Sequence, residues 1–175
     1  MSPEVIVQDP ESLAEALARR VEALASEAFT ERGRFSVALP GGSAATAFLP
    51  RLARARVDWP RADFFWGDER AVPPEHPDSN YGLARSLWLK DAALPPARIH
   101  RMPADEDDKD AAARAYESVL TKHTGSPPAL DVALLGVGPD GHVCSLFPVT
   151  ACCRRKSDSS RRSLTHPSRL PSGSP

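Results

Sequence analysis

Apolar and polar positions along the chain change period several times, and each change marks an element. Val5–Val7 is a short apolar run that reads as a strand. Asp9 can cap a helix with Pro10 at its first position. Leu13, Leu17, Val21, Leu24 and Ala28 then recur at helical spacing, which predicts a helix to about Glu31 with that face buried. Phe35–Leu39 predicts a second strand, Pro40 to Ser43 a turn, and Ala44–Arg54 an alanine-rich helix whose basic end suits the helix dipole. Asp63–Trp66 predicts a third strand.

Beyond it, residues 71–80 form a proline-rich polar loop leading into a helix from about Asn80 to Leu89. Arg98–Arg101 is a candidate fourth strand. The acidic run Asp105 to Asp110 suits a helix N-terminus, and Ala112, Ala115, Tyr116, Val119 and Leu120 give that helix a buried face. After a turn at 125–128, Leu130–Leu135 predicts a last strand. Strands alternating with helices imply an α/β fold, a parallel sheet covered by helices on both faces.

Composition sets the outer bounds. A chain of 175 residues that is 41% hydrophobic and 26% charged fits one soluble domain with a real core. No apolar run is long enough to span a bilayer, and the acidic N-terminus does not read as a secretory signal, so a cytoplasmic location and no membrane partner are expected. The net charge of −1 hides an asymmetry: residues 149–175 carry six basic side chains and one acidic, leaving 16 basic and 22 acidic elsewhere. An acidic body without a basic stripe argues against nucleic acid as a partner. Cys144, Cys152 and Cys153 have neither zinc spacing nor a disulfide framework.

The chemistry gathers in three loops that follow strands, where open α/β sheets build ligand sites. Gly41, Gly42 and Ser43 open a helix, whose free N–H groups suit phosphate; no P-loop lysine is present to suggest ATP. Gly67-Asp68-Glu69-Arg70 puts two carboxylates and a guanidinium at a strand end, and arginine's planar fork matches phosphate oxygens. The third loop, Gly136 to Gly141, delivers His142 beside Asp140, a histidine placed for general acid–base work.

Residues 136–141 also match the dinucleotide pattern G-x-G-x-x-G. The strand comes late, Asp140 would sit near the pyrophosphate, and the only later acidic residue is Asp158, so NAD is set aside. Metal ligation by His142, Asp140 and Asp68 is also set aside, because no second histidine lies at ligand spacing. His76, His100, His123 and His166 read as surface residues, and Trp59, Trp66 and Trp88 as packing residues.

Taken together, ALPGGS, then FFWGDERAVPPEHPDSNYG, then LDVALLGVGPDGHVCSLFP resemble the 6-phosphogluconolactonase family over Val5 to Pro148. The resemblance implies a Rossmann-like fold of the sugar-phosphate isomerase/deaminase type, a monomer, and hydrolysis of 6-phospho-D-glucono-1,5-lactone without a cofactor. It implies that Gly41, Gly42, Ser43 and Arg70 hold the phosphate. His142 would activate water and Asp140 would orient it, with Asp68, Glu69, Gly138 and Gly141 as candidate substrate contacts. Backbone N–H groups of the Gly138–Gly141 loop are candidates for the oxyanion. The related glucosamine-6-phosphate deaminases share the D-G-H loop. Cys144 to Pro148 and the Val72-Pro73 that follows Arg70 depart from their pattern and favour the lactonase. A non-catalytic sugar-phosphate binding domain is the other alternative.

After Pro148 the resemblance stops, where the family pattern would continue with more strands and helices. Residues 149–175 contain seven serines and no periodicity, which predicts a disordered tail. Read in a shifted frame, codons permitted for Asp158–Pro175 spell a segment similar to the family's continuation. A truncated or frameshifted C-terminus is therefore expected, with an incomplete fold and weak or no activity.

Overall fold

The computed structural model describes residues 3–147. The expectation for the tail, 149–175, lies outside them. Helix α1 spans Pro10–Arg32; Asp9 caps it by accepting from the Ser12 N–H at 2.9 Å, and Gly33 ends it in the left-handed conformation. Strand β1, Phe35–Leu39, leads into helix α2, Gly42–Leu52, and strand β2 spans Ala62–Trp66. Helix α3, Asn80–Ala84, continues as a wider π turn through Arg85–Leu89. Helix α4, Lys109–Thr124, precedes the short strand β3, Val132–Ala133.

The sheet is parallel, in the order β2-β1-β3. Every residue of β1 and β2 is buried, as expected of parallel strands covered on both faces. Successive strand residues point to opposite faces, and the aromatic contacts show both faces occupied. Phe64 packs on Trp59 and Trp88, with ring centroids 5.7 and 5.4 Å away, whereas Phe65 meets Tyr116 of α4 at 6.5 Å. Trp59, Trp66 and Trp88 are all buried packing residues. No helix among the described residues is long and apolar enough to cross a membrane.

Three predicted strands change. Val5–Val7 forms none: Val5 and Val7 are 82% and 88% exposed, and no strand among the described residues offers them a ladder. Arg98–Arg101 shrinks to one bridge, Ile99 beside Phe64, preceded by a 3-10 turn at Pro96–Arg98. Leu130–Leu135 keeps regular pairing only at Val132–Ala133. The buried face of α1 is also displaced. Ala14, Ala18, Val21, Ala25 and Ala28 are buried, while Leu13, Leu17 and Leu24 lie at the half-exposed margin. Small side chains let α1 approach its neighbours closely. In α4, Ala112 and Tyr116 are buried as expected and Val119 and Leu120 are half-buried, whereas Ala115 is exposed and Thr124 joins the buried face.

Asp131 fixes β3 to the sheet. One of its oxygens accepts from the Ser36 N–H at 2.7 Å and the Ser36 hydroxyl at 2.8 Å, and the other pairs with Arg32 at 2.8 Å. The Ser36 oxygen in turn accepts from the Asp131 N–H at 3.1 Å. The strand carrying the His142 loop is thus locked to β1 in one register. Replacing Asp131 with Ala should cost about 2 kcal/mol, since bonds to a charged acceptor contribute roughly 1.5–3 kcal/mol. A lowered urea midpoint with unchanged slope would be the signature.

Candidate active site

The three loops predicted to converge do so, and the contacts among them are tight. Gly41 stands where β1 turns into α2. A Cβ there would lie 2.0 Å from the Asn80 side-chain oxygen, so only glycine leaves room for Asn80. Helix α2 has no side-chain cap and no acidic residue in its first turn. Gly42 and Ser43 are exposed at that open end.

Asp68 and Glu69, in the loop after β2, are both buried, at 8% and 5% exposure. Carboxylates this far from water need donors on their lone pairs. Glu69 has four. One oxygen accepts from the N–H groups of Arg70 at 2.8 Å and Asn80 at 2.7 Å. The other accepts from the Tyr81 N–H at 2.8 Å and the Ser79 hydroxyl at 3.2 Å. The Ser79 hydroxyl also accepts from the Gly82 N–H, capping α3. Glu69 therefore faces inward and holds the start of α3 against its own loop.

Asp68 joins the loops to one another. Asn80 Nδ2 donates to its main-chain oxygen at 3.0 Å and to its side chain at 3.1 Å. Its other side-chain oxygen accepts from the Ser145 hydroxyl at 2.6 Å, across to the third loop. Arg70 is exposed, and its guanidinium makes no ion pair or hydrogen bond among the described residues.

The third loop folds back on itself. The Gly138 N–H donates to the His142 carbonyl at 2.8 Å, and the Gly141 N–H to the Gly138 carbonyl at 2.9 Å. A Cβ on Gly138 would fall 2.0 Å from His142 Cε1, so the imidazole lies directly over this glycine. The imidazole also meets the Phe147 ring, with centroids 4.6 Å apart. His142 Nδ1 lies 2.5 Å from Asp140 Oδ1, and the His142 N–H donates to the same oxygen at 3.2 Å. The hydrogen bond from His142 holds the Asp140 carboxyl below the usual carboxylate range.

Cys144 adopts φ 52° at the tip of the following turn. Its thiol is pushed up by burial and then by the nearby charge of Asp68, which removes it as a thiolate nucleophile near neutral pH. Asn80, Ser79 and Ser145, which organise the loops, were not singled out by sequence reasoning. Ser79 carried the one usable signal, a serine just before a predicted helix. His76 is exposed as expected, and His166 lies outside the described residues. His100 and His123 are not surface residues: their side chains are 10% and 27% exposed and both turn onto Asp63.

Comparisons with known proteins place the chain in a family. A family model described as glucosamine-6-phosphate isomerases/6-phosphogluconolactonase matches residues 8–171. A 6-phosphogluconolactonase of Synechocystis sp. is 43% identical over 129 residues, covering 71% of this chain and 54% of the relative. Another, from Mycobacterium leprae, is 38% identical over 161 residues, covering 87% of this chain and 65% of the relative. The solved structure of 6-phosphogluconolactonase from Trypanosoma brucei superposes with a TM-score of 0.75 at 26% identity, over 93% of this chain and 74% of that one. This chain thus spans between about half and two thirds of the curated relatives' length. It belongs to the glucosamine-6-phosphate isomerase/6-phosphogluconolactonase family.

Proposed function

We propose that this chain hydrolyses 6-phospho-D-glucono-1,5-lactone to 6-phospho-D-gluconate, the step that opens the lactone in the oxidative pentose phosphate pathway. The observation that carries the reading is the His142–Asp140 pair, 2.5 Å apart in a loop tied to the neighbouring strand-end loop. An ionised carboxylate only accepts, so His142 carries its proton on Nδ1 and presents the Nε2 lone pair. Nε2 takes a proton from water as the water oxygen attacks the lactone carbonyl. Asp140 stabilises the imidazolium that forms. When the ring C–O bond breaks, His142 returns the proton to the departing oxygen.

The phosphate is assigned to the uncapped start of α2, at Gly41, Gly42 and Ser43, and to Arg70. Free N–H groups and an unpaired guanidinium are what a phosphate dianion requires. Asp68 and Glu69 act by positioning, since their oxygens are occupied by donors from neighbouring loops. Gly138 and Gly141 shape the loop, because both of their N–H groups are engaged inside it. The proposal includes a monomeric cytoplasmic protein; a sedimentation profile of a larger species would count against the first part.

Replacing His142 with Ala should lower kcat on freshly made lactone by about 10²–10⁴-fold, the usual span of a general base, while gluconate 6-phosphate still binds. Unchanged hydrolysis would reduce the site to a sugar-phosphate binding domain. Ammonia release from glucosamine 6-phosphate would point to the deaminase chemistry of the same family instead. Replacing Arg70 with Ala should act mainly on KM, raising it roughly 10- to 100-fold, as expected for one charge-assisted contact. Glu69→Gln should behave differently. Its amide would turn a donor towards N–H groups that already donate, lowering stability by about 2 kcal/mol and kcat with it, which thermal unfolding and steady-state kinetics would register together.

A further inference from the structure

Asp63, His100 and His123 form a cluster that plays no part in the reaction described above. Asp63 is the second residue of β2, so it lies at the strand's start, whereas the Gly67–Arg70 loop follows the strand's end. His100 follows the 3-10 turn at Pro96–Arg98, and its N–H donates to the Phe64 carbonyl at 2.9 Å. His123 belongs to the last turn of α4. Three separate segments therefore deliver two imidazoles and a carboxylate to one point.

The geometry at that point is close to that of a coordination shell. Asp63 Oδ1 lies 3.0 Å from His100 Nε2 and 3.5 Å from His123 Nδ1. The three candidate ligand atoms all fall within 4.8 Å of one another. Bonds of about 2.1 Å to nitrogen and oxygen in a tetrahedron place ligand atoms about 3.4 Å apart. The two contacts to Asp63 bracket that value, so small side-chain rotations would complete the fit.

Orientation is fixed as well. Arg98 donates to Asp63 Oδ2 at 2.9 Å, which occupies one oxygen and leaves Oδ1 towards the imidazoles. Phe65 stacks on His100 with ring centroids 4.7 Å apart, and the two imidazoles are 4.2 Å apart. The Asp63 side chain is 7% exposed and that of His123 27%, giving a buried floor and an open entry.

We propose that Asp63, His100 and His123 bind one divalent first-row transition ion, Zn²⁺ in the first instance. The site is structural, clamping the start of β2, the segment after Arg98 and the end of α4. Two nitrogens and one oxygen suit zinc or cobalt better than magnesium or calcium, which prefer all-oxygen shells. Water entering past His123 would complete the coordination. The ion would replace the His100–Asp63 hydrogen bond and the longer approach of His123 to the same carboxylate oxygen.

Titration of the purified chain with Co²⁺ tests this directly. One equivalent should produce saturable visible ligand-field absorption of low-coordinate cobalt, and Zn²⁺ should displace it. His123→Ala, at the more open ligand, should weaken binding by about 100-fold or more, beyond the roughly 10- to 100-fold expected for an outer-shell partner. His142→Ala should leave the spectrum unchanged. Absorption that survives H123A, or that disappears in H142A, would overturn the assignment, as would the absence of saturable absorption. Crystals soaked in Zn²⁺ give a readout free of variants: an anomalous peak between Asp63, His100 and His123 is expected, and none there sinks the proposal. Because the cluster stands apart from His142, either result leaves the lactonase reading to its own test.

Discussion

Two adjacent buried carboxylates, Asp68 and Glu69, are the constraint on which the site depends. Burying them is costly unless every lone pair finds a donor, and among the described residues no arginine or lysine side chain does this work. Neutral donors from other segments do it instead. The N–H groups at the start of α3 converge on Glu69, which fixes where that helix begins. Asn80, drawn in by the same network, reaches back to Asp68 and lies against Gly41. Ser145 completes the link to the His142 loop. Satisfying two charges thereby positions three loops that are far apart in sequence.

This division explains what could be read from the chain. The fully buried runs Phe35–Leu39 and Ala62–Trp66 announce themselves because a strand covered on both faces is mostly apolar, and its polar members, Ser36 and Asp63, are each hydrogen-bonded. A short apolar run carries no information about its neighbours, and this is where strand assignment fails. Val5–Val7 has the same local appearance as β1, yet no ladder partner among the described residues reaches it. Arg98–Arg101 finds a partner at Ile99 alone, since the 3-10 turn before it sets the chain's direction. In α1 the leucines suggest one face, but packing distance selects the adjacent row of alanines. Periodicity locates a helix better than it orients one.

The site divides along the same line. His142 and Asp140 are two residues apart, so their pairing is local and visible in the motif. The glycines have local signatures too, although the reasons for Gly41 and Gly138 are the side chains of Asn80 and His142. Asp68–Ser145 spans 77 positions and Asp63–His100 spans 37. No spacing rule connects residues at such separations; the parallel order β2-β1-β3 and the bridge of Ile99 to Phe64 bring them together.

Two of the places where histidine meets aspartate, His142–Asp140 and the Asp63 cluster, have surroundings that give them opposite properties. Asp140 is 55% exposed and His142 28%, on a loop held by backbone hydrogen bonds, the Phe147 ring and the Ser145–Asp68 link. Solvent and substrate can reach such a pair, and its charge can change during a turnover without stranding an ion in the core. Asp63 is 7% exposed, is held by Arg98, and is shared by two imidazoles packed against Phe65. A proton gained or lost there would alter a desolvated network in which arginine already supplies positive charge. Proton transfer therefore belongs to the exposed pair at the end of the strands. The buried group, rigid and desolvated, is built to hold a fixed charge.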